Sequence, residues 1–234
     1  MNTRQQGFTL VEIAIVLVII GLLLGGILKG QEMITQAKIK NVIADFSGIS
    51  AAYHGYQDRY RAIPGDDPNA GRWTNAPAAI AGSGNGIVTG TYNFACPAIA
   101  VAATPESCLW WDHLRRAGFV SGNGAQQPLN AISGQIGVET GDGASPTIGP
   151  VLGAAAGAGG FSGLVICSAN LPDKIAIAVD TQMDDGQRLS GSVRGQLNTA
   201  PNPAIVADAT GAAVGGNNNY QETGTNTYTL CRAF

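Results

Sequence analysis

Few residues in this chain have the type and spacing to do chemistry. His54 and His113 are the only histidines, and the four cysteines are Cys96, Cys108, Cys167 and Cys231. No Cys-x-x-Cys pair exists, so a zinc site has little support. The glycine-rich stretches around Ser83 and Ser162 lack the strand–nucleophile–helix setting of an esterase elbow, and neither carries the lysine of a phosphate-binding loop. No catalytic constellation is therefore expected, and no cofactor. Asp180, Asp184 and Asp185 form an acidic cluster of hard oxygen ligands suited to calcium. Their spacing does not match an EF-hand loop, and turn-forming Asp-Gly chemistry explains Asp184-Asp185-Gly186 equally. No metal ligand is assigned. The remaining candidate is Glu12, the one charged residue between Phe8 and Leu28.

That segment is about 20 residues long, and at ~1.5 Å per residue a helix of this length matches the ~30 Å hydrocarbon core of a bilayer. An ionisable group inside hydrocarbon costs about 2.5 kcal/mol or more by insertion scales, so Glu12 calls for a partner. The sequence offers no obvious internal one. A positive charge from outside the chain, or from a newly made terminus, is expected instead.

The junction Gly7-Phe8-Thr9-Leu10-Val11-Glu12 followed by an apolar run resembles the processing motif of type IV prepilins and of type II secretion pseudopilins. The resemblance covers roughly residues 1–35. It implies cleavage after Gly7 by a prepilin peptidase and N-methylation of Phe8. It also implies that the Glu12 carboxylate neutralises the terminal amine of a neighbouring subunit during assembly. Other pilin or pseudopilin subunits, the membrane and an inner-membrane assembly platform are the partners it implies. Location follows as a single-pass inner-membrane protein with its C-terminal domain in the periplasm or on an extracellular filament. Charge does not set that orientation: the leader carries only Arg4, whereas Lys29, Lys38 and Lys40 follow the span.

Beyond Leu28 the helix is expected to continue. Ile39, Val42, Phe46, Ile49, Tyr53, Tyr56, Tyr60 and Ile63 step alternately by three and four, an unbroken apolar stripe at helical spacing. Pro64-Gly65 ends it, predicting one helix from Phe8 to Ala62. Gly21, Gly25, Gly26 and Gly30 suit close helix packing or a segment that melts on leaving the bilayer; glycine is also ordinarily tolerated in membrane helices. The organisation expected is a leader (1–7), a membrane half (8–28), an amphipathic half (29–63) and a globular domain (64–234).

Within the domain, Asp66 and Asp67 suit a turn or a contact with a neighbouring subunit. Residues 69–104 read as mostly irregular. A short helix is expected near Glu106–Ala117, with Trp110 facing inward and Trp111 near the surface. Arg115-Arg116 reads as a solvated helix face. The stretch 141–163 reads as loop with one weak strand. Strands are expected at Leu164–Cys167 and Lys174–Asp180, then a hairpin turn at Asp184-Asp185-Gly186, a return strand at Leu189–Arg194 and a closing edge strand at Thr225–Arg232. The class is α+β, and the arrangement resembles the pilin fold, a long N-terminal helix packed against an antiparallel sheet. In an extracytoplasmic domain the cysteines read as disulfides with three possible connectivities; Cys96–Cys108 and Cys167–Cys231 are favoured.

The formal charge is −3, or −4 once Arg4 leaves with the leader (12 basic against 16 acidic side chains). No basic field attracts nucleic acid. The functional expectation is a structural subunit, a pseudopilin or minor pilin of a type IV pilus-like or type II secretion filament. The alternatives are a major or adhesive pilin, or a membrane-tethered binding domain that never assembles.

Overall fold

The computed structural model describes residues 9–141, 150–153, 159–206 and 219–234. Gly7 and Phe8 lie outside the described residues, as do parts of the 141–163 stretch. The chain divides into two units, Met1–Lys38 and Ile39–Phe234.

The helix α1 runs Leu10–Tyr60 and crosses that division. In the first unit its large apolar side chains from Leu10 to Leu28 are exposed. In the second unit the predicted stripe is buried: Ile39, Val42, Phe46, Ile49, Tyr53 and Tyr56 join one core with Trp110, Trp111, Ile166, Val193 and Leu230. Helical spacing thus became burial wherever the domain supplied a surface to cover. The helix stops slightly before the expected Ala62, because Arg61 takes a positive φ of 55° ahead of Pro64, whose ring disfavours helical backbone in the residue before it.

A short 3-10 turn at Ala70–Arg72 and the helix α2, Glu106–Arg116, precede the sheet. The sheet contains β1 (Ile136–Thr140), β2 (Leu164–Pro172), β3 (Val193–Leu197) and β4 (Thr227–Ala233), with the helix α3 (Asp173–Met183) between β2 and β3. Strand order is β1-β2-β4-β3, and every pairing is antiparallel. The fold is α+β, a long N-terminal helix packed with a four-stranded antiparallel sheet.

Four expectations are corrected. Lys174–Asp180 is not a strand but the body of α3. A short Ile/Ala/Val run carries no clear period; Pro172 just before the helix and Asp173 in its first turn decide it. Burial of Ile175, Ala176, Val179 and Asp180 follows the helical repeat. Asp184-Asp185-Gly186 consequently leaves a helix and is no hairpin turn. The closing strand β4 is internal, between β2 and β3, and not an edge strand. Trp110 and Trp111 are both fully buried, so neither ring lies at the surface.

The disulfides are Cys96–Cys108 and Cys167–Cys231, the favoured pairing. Cys167 and Cys231 stand directly opposite in the β2–β4 register, and both are buried.

Candidate functional site

The first candidate lies at the start of α1. The Glu12 amide donates to Thr9 Oγ1 (3.3 Å), while the Thr9 amide and hydroxyl each donate to Glu12 Oε2 (2.8 Å). This is a capping box, Thr at the N-cap and Glu three residues on, which satisfies two otherwise orphaned donors reciprocally. The expectation that Glu12 has no internal partner is therefore corrected. The Thr-x-x-Glu signature before an apolar run is the sequence signal of this cap. Thr9 supplies dipoles and no charge. Among the described residues no cation stands within ion-pair distance of Glu12.

Around this carboxylate the helix is long and apolar enough to cross a membrane, and none of that stretch is buried inside the chain. A Cβ at Gly21, Gly25, Gly26 or Gly30 would meet nothing within 4 Å, so packing inside the chain does not account for those glycines.

The second unit treats its carboxylates differently. Asp66, one residue past the positive-φ Gly65, accepts from the backbone amides of Gly84 (2.6 Å), Asn85 (3.1 Å) and Gly86 (2.7 Å) and from the Ser83 hydroxyl (2.9 Å). Glu106 at the start of α2 accepts from the Ser83 amide (2.7 Å) and from the amide and hydroxyl of Thr89 (both 3.0 Å). The glycine-rich loop is thus shaped by two carboxylates. A Cβ at Gly82 would collide with the Gly65 carbonyl and the Asp66 backbone.

Asp67 is fully buried. It accepts from the Tyr56 hydroxyl (2.6 Å), the Asn69 amide (2.8 Å) and both terminal nitrogens of Arg72 (2.7 and 3.3 Å). Burial opposes its charge, but the bonds from Arg72, Tyr56 and Asn69 outweigh burial and hold its carboxyl below the usual range. His113, also buried, accepts from the Gly65 amide at Nδ1 (2.9 Å) and so donates from Nε2 to the Ile80 carbonyl (2.8 Å). Burial pushes the His113 pKa down, keeping the ring neutral. Asp66, Asp67 and His113 therefore serve the exit from α1. Their isolated positions in the sequence gave no sign that they share one corner.

Asp180, Asp184 and Asp185 do come together, with one oxygen of each within 4.8 Å of the others. Protein donors engage all three. Tyr220 and the Gly186 amide donate to Asp180 (2.5 and 3.3 Å), the amides of Ser192 and Val193 to Asp184 (2.5 and 2.9 Å), and the Gln187 amide and Ser190 hydroxyl to Asp185 (2.8 and 2.5 Å). Burial, with Asp185 and Asp184 nearby, pushes Asp180 up to about 6 against the bonds it accepts. The arrangement fastens the exit of α3 to the start of β3.

Sequence reasoning missed one further constellation. Asn170, at a positive φ of 58° in the irregular part of the β2–β4 pairing, exchanges hydrogen bonds with Asn202 at φ 47°. Asn202 also accepts from the Gln135 amide (3.0 Å). Two asparagines tolerating left-handed backbone are the signal that was available.

Comparison with known proteins bears on the first candidate. Residues 2–28 match the family model described as the prokaryotic N-terminal methylation motif. The chain is similar to the type IV major pilin protein PilE of Neisseria gonorrhoeae, 33% identical over 101 residues, covering 40% of this chain and 59% of that protein. It is equally similar to the type IV major pilin protein PilE1 of the same organism, 33% identical over 101 residues, 40% of this chain and 56% of that one. The chain thus spans less than two thirds of the length of these relatives. No solved structure matches it.

Proposed function

We infer that this chain is a type IV pilin family member that works as a structural subunit of a filament. The methylation-motif match, the two pilin relatives and the helix-on-sheet fold support the family. The observation that carries the role is the first half of α1, an apolar surface from Leu10 to Leu28 that no described residue covers. Lipid covers such a surface before assembly, and the same halves of other subunits cover it afterwards. The motif and helix fit a single-pass membrane anchor.

In this reading a prepilin peptidase cuts after Gly7, Phe8 becomes the methylated terminus, and the domain lies in the periplasm or on the filament exterior. An inner-membrane assembly platform receives the processed subunit. Glu12 then exchanges the dipoles of Thr9 for the charged Phe8 amine of a neighbour, a pairing strengthened by the low-dielectric filament core. No cofactor, nucleic acid or catalysis enters. We place the subunit among pseudopilins or minor pilins on its long, irregular, glycine-rich middle. A second reading, a major pilin, is favoured by the printed names of both relatives.

Glu12→Ala tests the role. The variant is expected to insert and to be cleaved to a Phe8 terminus by mass spectrometry, with sheared-filament yield falling at least tenfold. Wild-type yield would overturn the role of Glu12, and an uncleaved terminus in the wild type would favour a tethered domain.

A further inference from the structure

The pair Arg115-Arg116, expected to be a solvated helix face, instead helps to line a cavity of about 530 Å³. Its other walls are residues 75–77, residues 98–100 and residues 122–124. That volume lies within the ~300–1,000 Å³ range of ligand pockets.

Protein acceptors use only part of each guanidinium. Arg115 donates from Nε to the Ser121 carbonyl (3.3 Å) and from Nη1 to the carbonyls of Gly124 (2.8 Å) and Gln126 (2.6 Å). Arg116 donates from Nε to Asp112 (2.7 Å) and from Nη2 to the Pro77 carbonyl (2.7 Å). Among the described residues, Arg115 Nη2 and Arg116 Nη1 have no acceptor, and Arg115 has no carboxylate at ion-pair distance. Two cations and one carboxylate leave the cavity with one net positive charge. Burial depresses the Arg115 pKa, with only Asp112 opposing it, as expected of an uncompensated cation.

One wall, residues 98–100, is apolar. It belongs to the loop closed by Cys96–Cys108, which carries no charge from Pro97 to Pro105 and leaves Ile99 more than half exposed. A disulfide-closed loop holds this wall at lower conformational cost than a free one. Asn75 and Asn123, exposed at the same cavity, offer amide partners for a peptide backbone.

We propose that this cavity binds a peptide C-terminus, its α-carboxylate on the free guanidinium nitrogens of Arg115 and Arg116 and its last, apolar side chain against Ile99. One net positive charge and one free guanidinium nitrogen on each arginine match the charge and the two oxygens of a monoanionic carboxylate. The apolar wall favours a carboxylate with a hydrophobic neighbour over a bare inorganic anion.

The test uses the full chain in detergent, titrated with acetyl-Ala-Ala-Leu as the free acid and as the C-terminal amide. Saturable binding of the acid is expected, with the amide at least tenfold weaker and inorganic phosphate unable to compete at equal concentration. Ile99→Asp, an exposed change that spares both arginines, should weaken the acid at least tenfold while the thermal midpoint stays constant. Arg116→Lys, which keeps the charge but has no second nitrogen to spare beyond Asp112 and the Pro77 carbonyl, should weaken it several-fold. Absence of saturable binding, equal binding of acid and amide, effective competition by phosphate, or wild-type affinity in Ile99→Asp would each overturn the proposal. None of these readouts depends on filament assembly.

Discussion

The two parts of α1, an unbroken apolar run up to Leu28 and an apolar stripe from Ile39, meet opposite fates. From Ile39 onward the stripe is buried under α2 and the sheet. Up to Leu28 every large apolar side chain stays exposed. The carboxylates divide the same way. Asp67 is buried with a cation and two further donors, whereas Glu12 is exposed and, among the described residues, held only by Thr9. The domain covers its apolar stripe and pairs its buried Asp67, while the first half of α1 leaves a large apolar surface open, the mark of an interaction surface.

The largest test of this contrast truncates one apolar residue on each side. Phe46→Ala should cost the domain about 3–5 kcal/mol in denaturant unfolding, whereas Leu17→Ala should leave the same transition unmoved. A shared loss would mean that the first unit stabilises the second. Next is Asp67→Ala, which orphans the Tyr56 hydroxyl and Arg72. It should cost about 1–3 kcal/mol, because the buried Tyr56 hydroxyl loses its acceptor while the solvent-reaching Arg72 is rehydrated. Because the Asp67 pKa is lowered in the folded state, this contribution is present above the ordinary aspartate range and lost as pH falls through the folded value. The wild type should therefore lose its advantage over Asp67→Ala on acidification, as seen in thermal midpoints.

Asp180 gives a smaller effect of opposite sign. Its folded pKa, raised from 3.8 to about 6, favours the folded state below 3.8 and loses that contribution as pH rises through about 6. His113, with a lowered pKa, acts in the reverse sense over an overlapping window, so the informative quantity is a difference. The midpoint of Asp180→Asn minus that of wild type should grow between pH 5 and pH 7.5 by a few degrees. Calcium added after chelation should leave the wild-type midpoint unchanged, and a clear rise would make the acidic cluster a metal site. Smallest is Thr9→Ala. Losing the cap should cost about 1 kcal/mol, felt only in amide exchange of the first turn of α1, and domain unfolding should not respond.

What was legible in the sequence had a long period or a sharp signal. The α1 stripe repeats many times, so 3.6-residue spacing emerges from it directly. Glu106–Ala117 was legible because Gly118 stops it. Lys174–Asp180 was not: over two turns, Ile and Val suggest strand while the rest is alanine and two end charges, and only tertiary packing decides. Trp111 was misplaced because a nine-residue buried run in α2, Glu106 to Leu114, departs from one-faced amphipathicity. The corner of Asp66, Asp67, Glu106 and His113 joins residues up to 48 positions apart, as Gly65 and His113 are, and no local pattern encodes such a meeting.

The internal position of β4 has a consequence in time. β2 and β3 touch each other only through the strand that follows both in the chain. As the polypeptide emerges from the ribosome, β1 and β2 can pair, but β3 has no seat until residues 227–233 arrive. The sheet then closes by inserting its latest strand into the middle, a contact of high sequence separation and slow formation. Until that moment β2 presents an open edge of unpaired backbone N–H and C=O groups, the kind of surface on which nascent chains aggregate. The domain is thus a late folder, committed to its final shape only when β4 has been made.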